Sequence, residues 1–491
     1  MQKVITKSIM KDSDKYTIDH KSSSIELMNK AAEAVMNSYQ FKGKVLIVTG
    51  TGNNAGDGYA LAILLNKAGI EVNILQTKAE CSNDGKYYYD LCQKNNIKTT
   101  LYNGQFNFKN YNILVDAIYG VGFHGNMPKT ISNLINKMNE SNLPIISIDI
   151  NSGLDADNGL AQTCIHSTLT VSIGALKPGH LLNMAKDNID NLVNQNIGID
   201  IVGEPYYLLE HEDFHNFLPK RKNYSHKGTY GLVGILGGSL KYSGSVKLAS
   251  LSLSALTSGA GVSRLIVPNT IAKSLLLYVL ESTIFPINDD NGQMIFSPKE
   301  VDKALEKVTA LLIGIGWDQN PNNEKILTYI LENYDMPIVI DADGLNILSK
   351  IKNIKPNLIL TPHLKEFSRL TNIDIKTISK DPINIAKNYA QQHKIILLLK
   401  GPSTIITDGD TVYFTNTGCS GMATAGSGDV LSGILIGLSG YKAPDIKTVA
   451  FAAYINGLAG ELAEKQKGSV SMLARDTASC LAKAIKPYIQ K

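Results

Sequence analysis

The residues KVLIVT at 44–49 run apolar without alternation and break at once into the glycine- and asparagine-rich GTGNNAGDG at 50–58. Leu61, Leu64, Leu65 and Ala68 then recur at helical spacing up to Gly69. A strand with no polar face must be covered on both sides, and a strand that feeds a helix through a short turn belongs in a parallel sheet. The same pattern repeats in EVNILQ (71–76), NILVDA (112–117) and PIISIDI (144–150), with helical stretches between them. The predicted class is α/β, a Rossmann-like parallel sheet with helices on both faces.

The alternation fades after about residue 205 and gives way to the polar, proline-containing HEDFHNFLPKRKNYSHKG at 211–228. That stretch predicts a first domain over 1–215, a linker over 216–225 and a second domain over 226–491. A second alternation follows, with strands expected at 230–236, 263–267, 310–315, 337–341, 357–361 and 395–399. Helices are expected at 245–258 and 428–438. Thr404–Thr407 and Val412–Thr415 flank Asp408–Gly409–Asp410 and read as a hairpin.

A chain of 491 residues, 44% hydrophobic and 19% charged, is too long for one core and too apolar for disorder. Residues 1–215 carry 18 Lys+Arg against 22 Asp+Glu, and residues 216–491 carry 30 against 22. Positive charge so thinly spread, without an aromatic stripe, does not make a nucleic-acid face. The dense run Lys220–Arg221–Lys222 reads as a solvated linker. Five cysteines without CxxC or Cys/His spacing read as reduced thiols. The N-terminus, charged at Lys3, Lys7, Lys11 and Asp12, has no apolar leader region, and no run approaches a membrane span. The expectation is a cytoplasmic protein acting on small molecules, with neither nucleic acid nor membrane as partner. Glycine-rich α/β domains often assemble, so a homo-oligomer stays open.

Three loops should converge in the first domain, because ligands of open parallel sheets sit at the carboxyl ends of the strands. They are the turn at 50–58, the glycine-rich YGVGFHGN (119–126) after Asp116, and Asn151–Ser152–Gly153 after Asp149. In the second domain GCSGMATAGSGDVLSG (418–433) sets Gly426, Ser427 and Gly428 before an apolar helical stretch, with Asp429 in its first turn. Amides at a helix start bind a transferring phosphoryl group, and a carboxylate beside them can take a proton from an attacking hydroxyl. Asp341 and Asp343 read either as caps at a strand end or as a contribution to a nucleotide site. A His after a Pro, as at 363, is by itself a turn residue.

NNAGDG (53–58), DAIYGVGFHGN (116–126) and DINSG (149–153) resemble the signatures of NAD(P)H-hydrate epimerase domains, over roughly residues 1–210. That resemblance implies dinucleotide binding by Asn53, Asn54, Ala55, Gly56 and Asp57, and by Gly120, Val121, Gly122, Phe123, His124, Gly125 and Asn126. It implies a potassium ion on Asn54, Asp116 and Ser152, and Asp149 on the substrate as acid/base. The GSGD loop resembles the anion hole and catalytic aspartate of the ribokinase-like superfamily. HKGTYG (226–231), GGSLKYSGS (237–245), GIGWD (314–318), DADGLN (341–346), TPHLKEFSRL (361–370) and LKGPST (399–404) are similar, in order, to ADP-dependent NAD(P)H-hydrate dehydratases.

By that likeness Asp429 is the catalytic base, and Ser245, Gly316 and His363 line the hydrate pocket. Lys400, Gly401, Pro402, Ser403, Thr404 and Gly428 hold the adenine nucleotide, ADP, with magnesium. The sequence departs from these families at Ala55, usually glycine, and Asn151, usually proline. It departs again at Ser245, usually alanine, and at Ile315 and Trp317, usually proline and leucine. A methyl at 55 would crowd a phosphate cradle if the position takes a positive φ, and Trp317 would reshape the second pocket. The implied function is repair of hydrated nicotinamide cofactors. The alternative is a small-molecule kinase joined to a noncatalytic binding module.

Overall fold

The computed structural model describes residues 1–254, 258–352, 354–440 and 444–490. Its packing divides the chain into two compact units, Gln2–Tyr206 and Tyr207–Lys491 together with Met1. The boundary lies earlier than the expected 216–225 linker, because Phe214 is fully buried in the core of the second unit, against Phe217, Phe451 and Tyr454. Lys220, Arg221 and Lys222 are exposed, as expected, though Arg221 is also held in place. Its guanidinium donates to the Gly259 and Ala260 carbonyls and stacks over Tyr230.

The first unit holds a sheet of seven parallel strands. Their order across the sheet is Thr99–Leu101, Val72–Gln76, Val45–Thr49, Ile113–Ala117, Ile145–Ile148, Leu169–Ile173 and Leu192–Gln195. The apolar runs at 44–49, 71–76, 112–117 and 144–150 are strands as expected, each trimmed by a residue or more. The strands Thr99–Leu101, Leu169–Ile173 and Leu192–Gln195 lie outside those runs. The chain winds outward from Val45–Thr49 in one direction, then returns to place Ile113–Ala117 on its other side. Such a reversal opens a crevice at the carboxyl ends of the two strands.

The second sheet runs Tyr206–Leu208, Val412–Thr415, Thr404–Thr407, Ile396–Leu399, Leu358–Leu360, Ile338–Ile340, Ala310–Ile313, Leu232–Leu236, Val262–Pro268 and Thr283–Ile287. From Ile396–Leu399 to Thr283–Ile287 it is parallel, and the predicted hairpin is antiparallel. Its reversal lies between Leu232–Leu236 and Ala310–Ile313. The helix Ser427–Leu438 is buried along every face from Val430 on, packed on Ser243–Ser254 and Ile446–Lys467, which explains its lack of a polar stripe. Of the helix expected at 245–258, the positions 255–257 lie outside the described residues. Among the described residues no helix is long and apolar enough to cross a membrane, and all five cysteines are free.

Candidate active sites

The crevice of the first unit is a cavity of 740 Å³. Asn53, Asn54, Asp57, Gly120, Val121, Gly122, Phe123, His124, Asn126 and Asp149 line it. Of the expected turn at 50–58, residues 53–58 are in fact the first turns of the helix Asn53–Lys67. That geometry moves two of the anticipated residues off the cavity wall. Ala55 is helical and packed in the apolar core, so the left-handed backbone that would make its methyl crowd a ligand does not occur there. A Cβ at Gly56 would meet Met28 and the Gly85 backbone at 2.8 and 3.0 Å, so this glycine serves helix packing.

Asp149 follows the strand Ile145–Ile148 in a left-handed conformation, φ +67°. Its Oδ1 accepts from the ammonium of Lys177, which is fully buried and also donates to the Ile173 carbonyl at 2.9 Å. His180 Nδ1 accepts from the Lys177 backbone at 3.0 Å, so the protonated Nε2 donates to the Asp149 carbonyl at 2.7 Å. Burial, with the Lys177 charge beside it, pulls His180 down to about 4 and keeps the ring neutral. Sequence reasoning misses Lys177 and His180. Their only signal is a lysine set inside the apolar run SIGALKPGHLL (172–182).

Two further carboxyls line the same cavity, Asp14 on the helix Lys7–His20 and Asp57. Burial, reinforced by Asp149, pushes Asp14 up to about 6. Burial, then Asp149 and Asp14, pushes Asp57 well above the ordinary carboxyl range.

Asn54, Asp116 and Ser152 are brought together around the Tyr119 backbone. Asn54 Nδ2 donates to the Tyr119 carbonyl at 3.0 Å, and Ser152 Oγ accepts from the Tyr119 amide at 2.8 Å. Asp116 is fully buried and accepts from Ser147, from the Ser152 hydroxyl and amide, and from Ile118. Burial raises its carboxyl above the usual range, against the pull of the Ser152 bonds. Asn54 Oδ1 is buried without a partner among the described residues. Asn151, in place of proline, is fully buried, and its amide donates to the carbonyls of Ile165 and Asn188 and to Ser167 Oγ. These bonds tie down the loop that proline would have stiffened.

In the second unit the expected residues gather at the carboxyl ends of the parallel strands. Gly316, at φ +53°, brings its backbone so close to Ser245 that a Cβ would lie 2.9 Å from Ser245 Oγ. Asp429 is in the first turn of the helix Ser427–Leu438 and is hydrogen-bonded to Ser245. Burial, with the Asp341 carboxylate next, pushes its carboxyl up to about 7, while Ser245 and Lys400 pull the other way. Lys400 Nζ donates to Asp341 Oδ1 at 2.9 Å and approaches Glu366 Oε2 at 3.9 Å. Burial works against the Lys400 charge, but Asp341 and Glu366 hold its ammonium above its ordinary value. Ser432 donates to Asp341 Oδ2 at 2.6 Å. A Cβ at Gly428 would sit 3.5 Å from Lys400 Nζ, which places the lysine at the helix start.

Asp341 and Asp343 point apart. Ala342 between them has φ +52° and ψ −120°, and Asp343 Oδ2 accepts from the Asp318 amide at 2.9 Å. His363 caps the helix Leu364–Thr371, its Nδ1 accepting from the Lys365 and Glu366 amides. Trp317 is buried in the core, its indole N–H directed at Met294 Sδ. Ser403 is buried and donates to Asn416 at 2.6 Å, whereas Gly401 and Pro402 are exposed. Glu366 and Ser432 lie inside sequence motifs that give them no role of their own.

A doubly wound sheet with a carboxyl at a glycine-preceded helix start, beside a lysine, defines a ribokinase-like domain, joined in this chain to a Rossmann-like one. The family described as NAD(P)H-hydrate dehydratase matches residues 233–483, and the YjeF-related protein N-terminus matches 24–179. The chain is 33% identical to the bifunctional NAD(P)H-hydrate repair enzyme of Moorella thermoacetica, over 95% of this chain and 92% of that one. It is 29% identical to that of Escherichia coli, over 94% and 90%. The ADP/ATP-dependent NAD(P)H-hydrate dehydratase of Bacillus subtilis, crystallised with ATP and Mg2+, superposes with a TM-score of 0.51 at 28% identity. It covers 58% of this chain, and 99% of its own length is matched. The chain belongs to the family of bifunctional NAD(P)H-hydrate repair enzymes.

Proposed function

We propose that the first unit interconverts the R and S hydrates of NADH and NADPH, and that the second dehydrates the S hydrate at the expense of ADP. Only one epimer serves the second reaction, so the pair recovers both. The observation that carries this reading is Asp429. It is a carboxyl raised to about 7 at a helix start, bonded to Ser245, with Lys400 acting on it through space but no ion pair to it among the described residues. A base in that range changes protonation readily at neutral pH.

The ring hydroxyl is a poor leaving group. Asp429 takes its proton as the oxygen attacks the terminal phosphorus of ADP, and AMP departs. Phosphate then leaves the carbon as the ring nitrogen's lone pair forms C=N, and loss of the neighbouring proton restores the dihydronicotinamide. Lys400 and the amides at the start of Ser427–Leu438 meet the phosphates, with Gly401, Pro402 and Thr404 at the rim. Ser245, Gly316 and His363 bound the hydrate. Magnesium would enter on the nucleotide's own phosphates, since among the described residues no three His, Cys, Asp or Glu side chains converge.

In the first unit Asn54, Asp116 and Ser152 would hold potassium. The fit rests on an all-oxygen donor set and on the buried, unpartnered Asn54 Oδ1. The ion would supply positive charge against the dinucleotide's phosphates. Asp149, fixed by Lys177 and His180, exchanges protons with the substrate.

The test is recovery of the reduced ring's near-ultraviolet absorbance from mixed-epimer NADH hydrate, with magnesium, potassium, and ADP or ATP in turn. Full recovery with ADP, faster than spontaneous epimerisation allows, is expected. A stable phosphorylated product without recovery would replace this reading with a kinase.

A further inference from the structure

Inverting a carbinol carbon through loss and return of water needs a proton given on one face of the ring and taken on the other. Asp149 is the only one of the cavity's three carboxyls with an ion-pair partner among the described residues, and the partner, Lys177, is sealed from solvent. The Lys177 ammonium and the Ile173 amide both donate to Oδ1 of Asp149, which leaves Oδ2 for a ligand. Asp57 enters the same cavity from a different element, the start of the helix Asn53–Lys67. Resting on the epimerase reading above, we propose that Asp57 is the second catalytic carboxyl of this cavity, the proton donor to the departing hydroxyl, with Asp149 the acceptor from the water that adds to the opposite face.

The surroundings suit a donor. Asp14, Asp149 and Lys177 act on Asp57 from three elements, and Tyr88 stands on the neighbouring helix. Lys7, Lys11 and His124 also line the cavity. Burial and the two carboxylates outweigh Lys177, so Asp57 holds its proton more tightly than an ordinary carboxyl.

Asp57 gives that proton to the ring hydroxyl, the C–O bond breaks, water departs, and the ring nitrogen's lone pair forms C=N. Water adds to the other face, Asp149 takes one of its protons, and the electron pair returns to nitrogen. One water has left and one has entered, and the proton has passed from Asp57 to Asp149. The next turnover can therefore run in the opposite direction with the roles exchanged, as a reversible epimerase requires.

The experiment follows R/S interconversion of NADH hydrate by the full chain without nucleotide. Asp57→Asn should lower kcat about 100-fold with KM within about threefold. The wild-type rate should fall as rising pH deprotonates Asp57, and Asp14→Asn should move that fall to lower pH by removing a neighbouring negative charge. An Asp57→Asn enzyme that keeps more than about a third of kcat, or that loses only KM, overturns the assignment. So does a high-pH limb indifferent to Asp14→Asn, a readout that survives if Asp57→Asn misfolds. A wild-type chain with no interconversion overturns the epimerase reading as well, which separates the two failures.

Discussion

Asp149 and Asp429 carry the proposed chemistry of the two units, and each has a lysine in its cleft, but the lysines are spent differently. Lys177 is bonded to Asp149 itself. Lys400 is bonded to Asp341, which leaves Asp429 with a hydroxyl partner and a carboxyl raised to about 7. The partner of the lysine, rather than its presence, decides whether an aspartate is ion-paired or left to a hydroxyl. An anchored carboxylate suits a site where a second acid shares the proton traffic. A free one suits a base that must empty and refill in each turnover.

The sharpest way to break the contrast is Asp429→Asn. Nucleotide-dependent recovery should fall by about 10³-fold or more, while R/S interconversion in the same preparation is unchanged. The variant also reads stability. A carboxyl raised from 3.8 to about 7 in the folded chain binds its proton more tightly than in the unfolded one. It therefore costs stability as pH rises through that window. The same Asp429→Asn substitution should raise Tm at pH 8 and leave it unmoved at pH 4.

Lys177→Met tests the other side by stripping Asp149 of a partner inside a buried pair. Epimerisation should drop about 100-fold and the first unit should lose about 3 kcal/mol in denaturant titration, with dehydration retained. The smallest effect sharpens the comparison. The kcat/KM of dehydration should rise with pH through a midpoint near 7. Ser245→Ala, by removing a hydrogen bond to the ionised form, should shift that midpoint upward by under about one unit.

The strands are legible because apolar runs such as Val45–Thr49 have no reading except a sheet covered on both faces. The start of the helix Asn53–Lys67 is not, since NNAGDG has the local chemistry of a turn and is drawn into helix by Gly56 packing on Met28 and Gly85. The edge strands Leu192–Gln195 and Thr283–Ile287 lack a fully apolar run, being only partly buried. Motif residues such as Ser245, Gly316 and Asp429 do meet, because their loops share the carboxyl edge of one sheet. Lys177 is invisible for a physical reason. A lysine within an apolar segment looks like a side chain reaching for solvent, and only the fold reveals that it reaches Asp149. His363 is legible as a motif member, but its capping of Leu364–Thr371 depends on an amide geometry no composition encodes.

Ala342 holds a backbone conformation that a methyl-bearing residue rarely adopts, at a cost of about 1–3 kcal/mol. What the strain secures is a division of labour between neighbours in sequence. Asp341 is turned toward Lys400 and Ser432, and Asp343 toward the loop that follows Trp317. The twist at Ala342 thus sends two adjacent carboxyls to separate partners. Asp341 can set the charge around Asp429 because its neighbour in sequence, Asp343, is committed to the Asp318 amide instead.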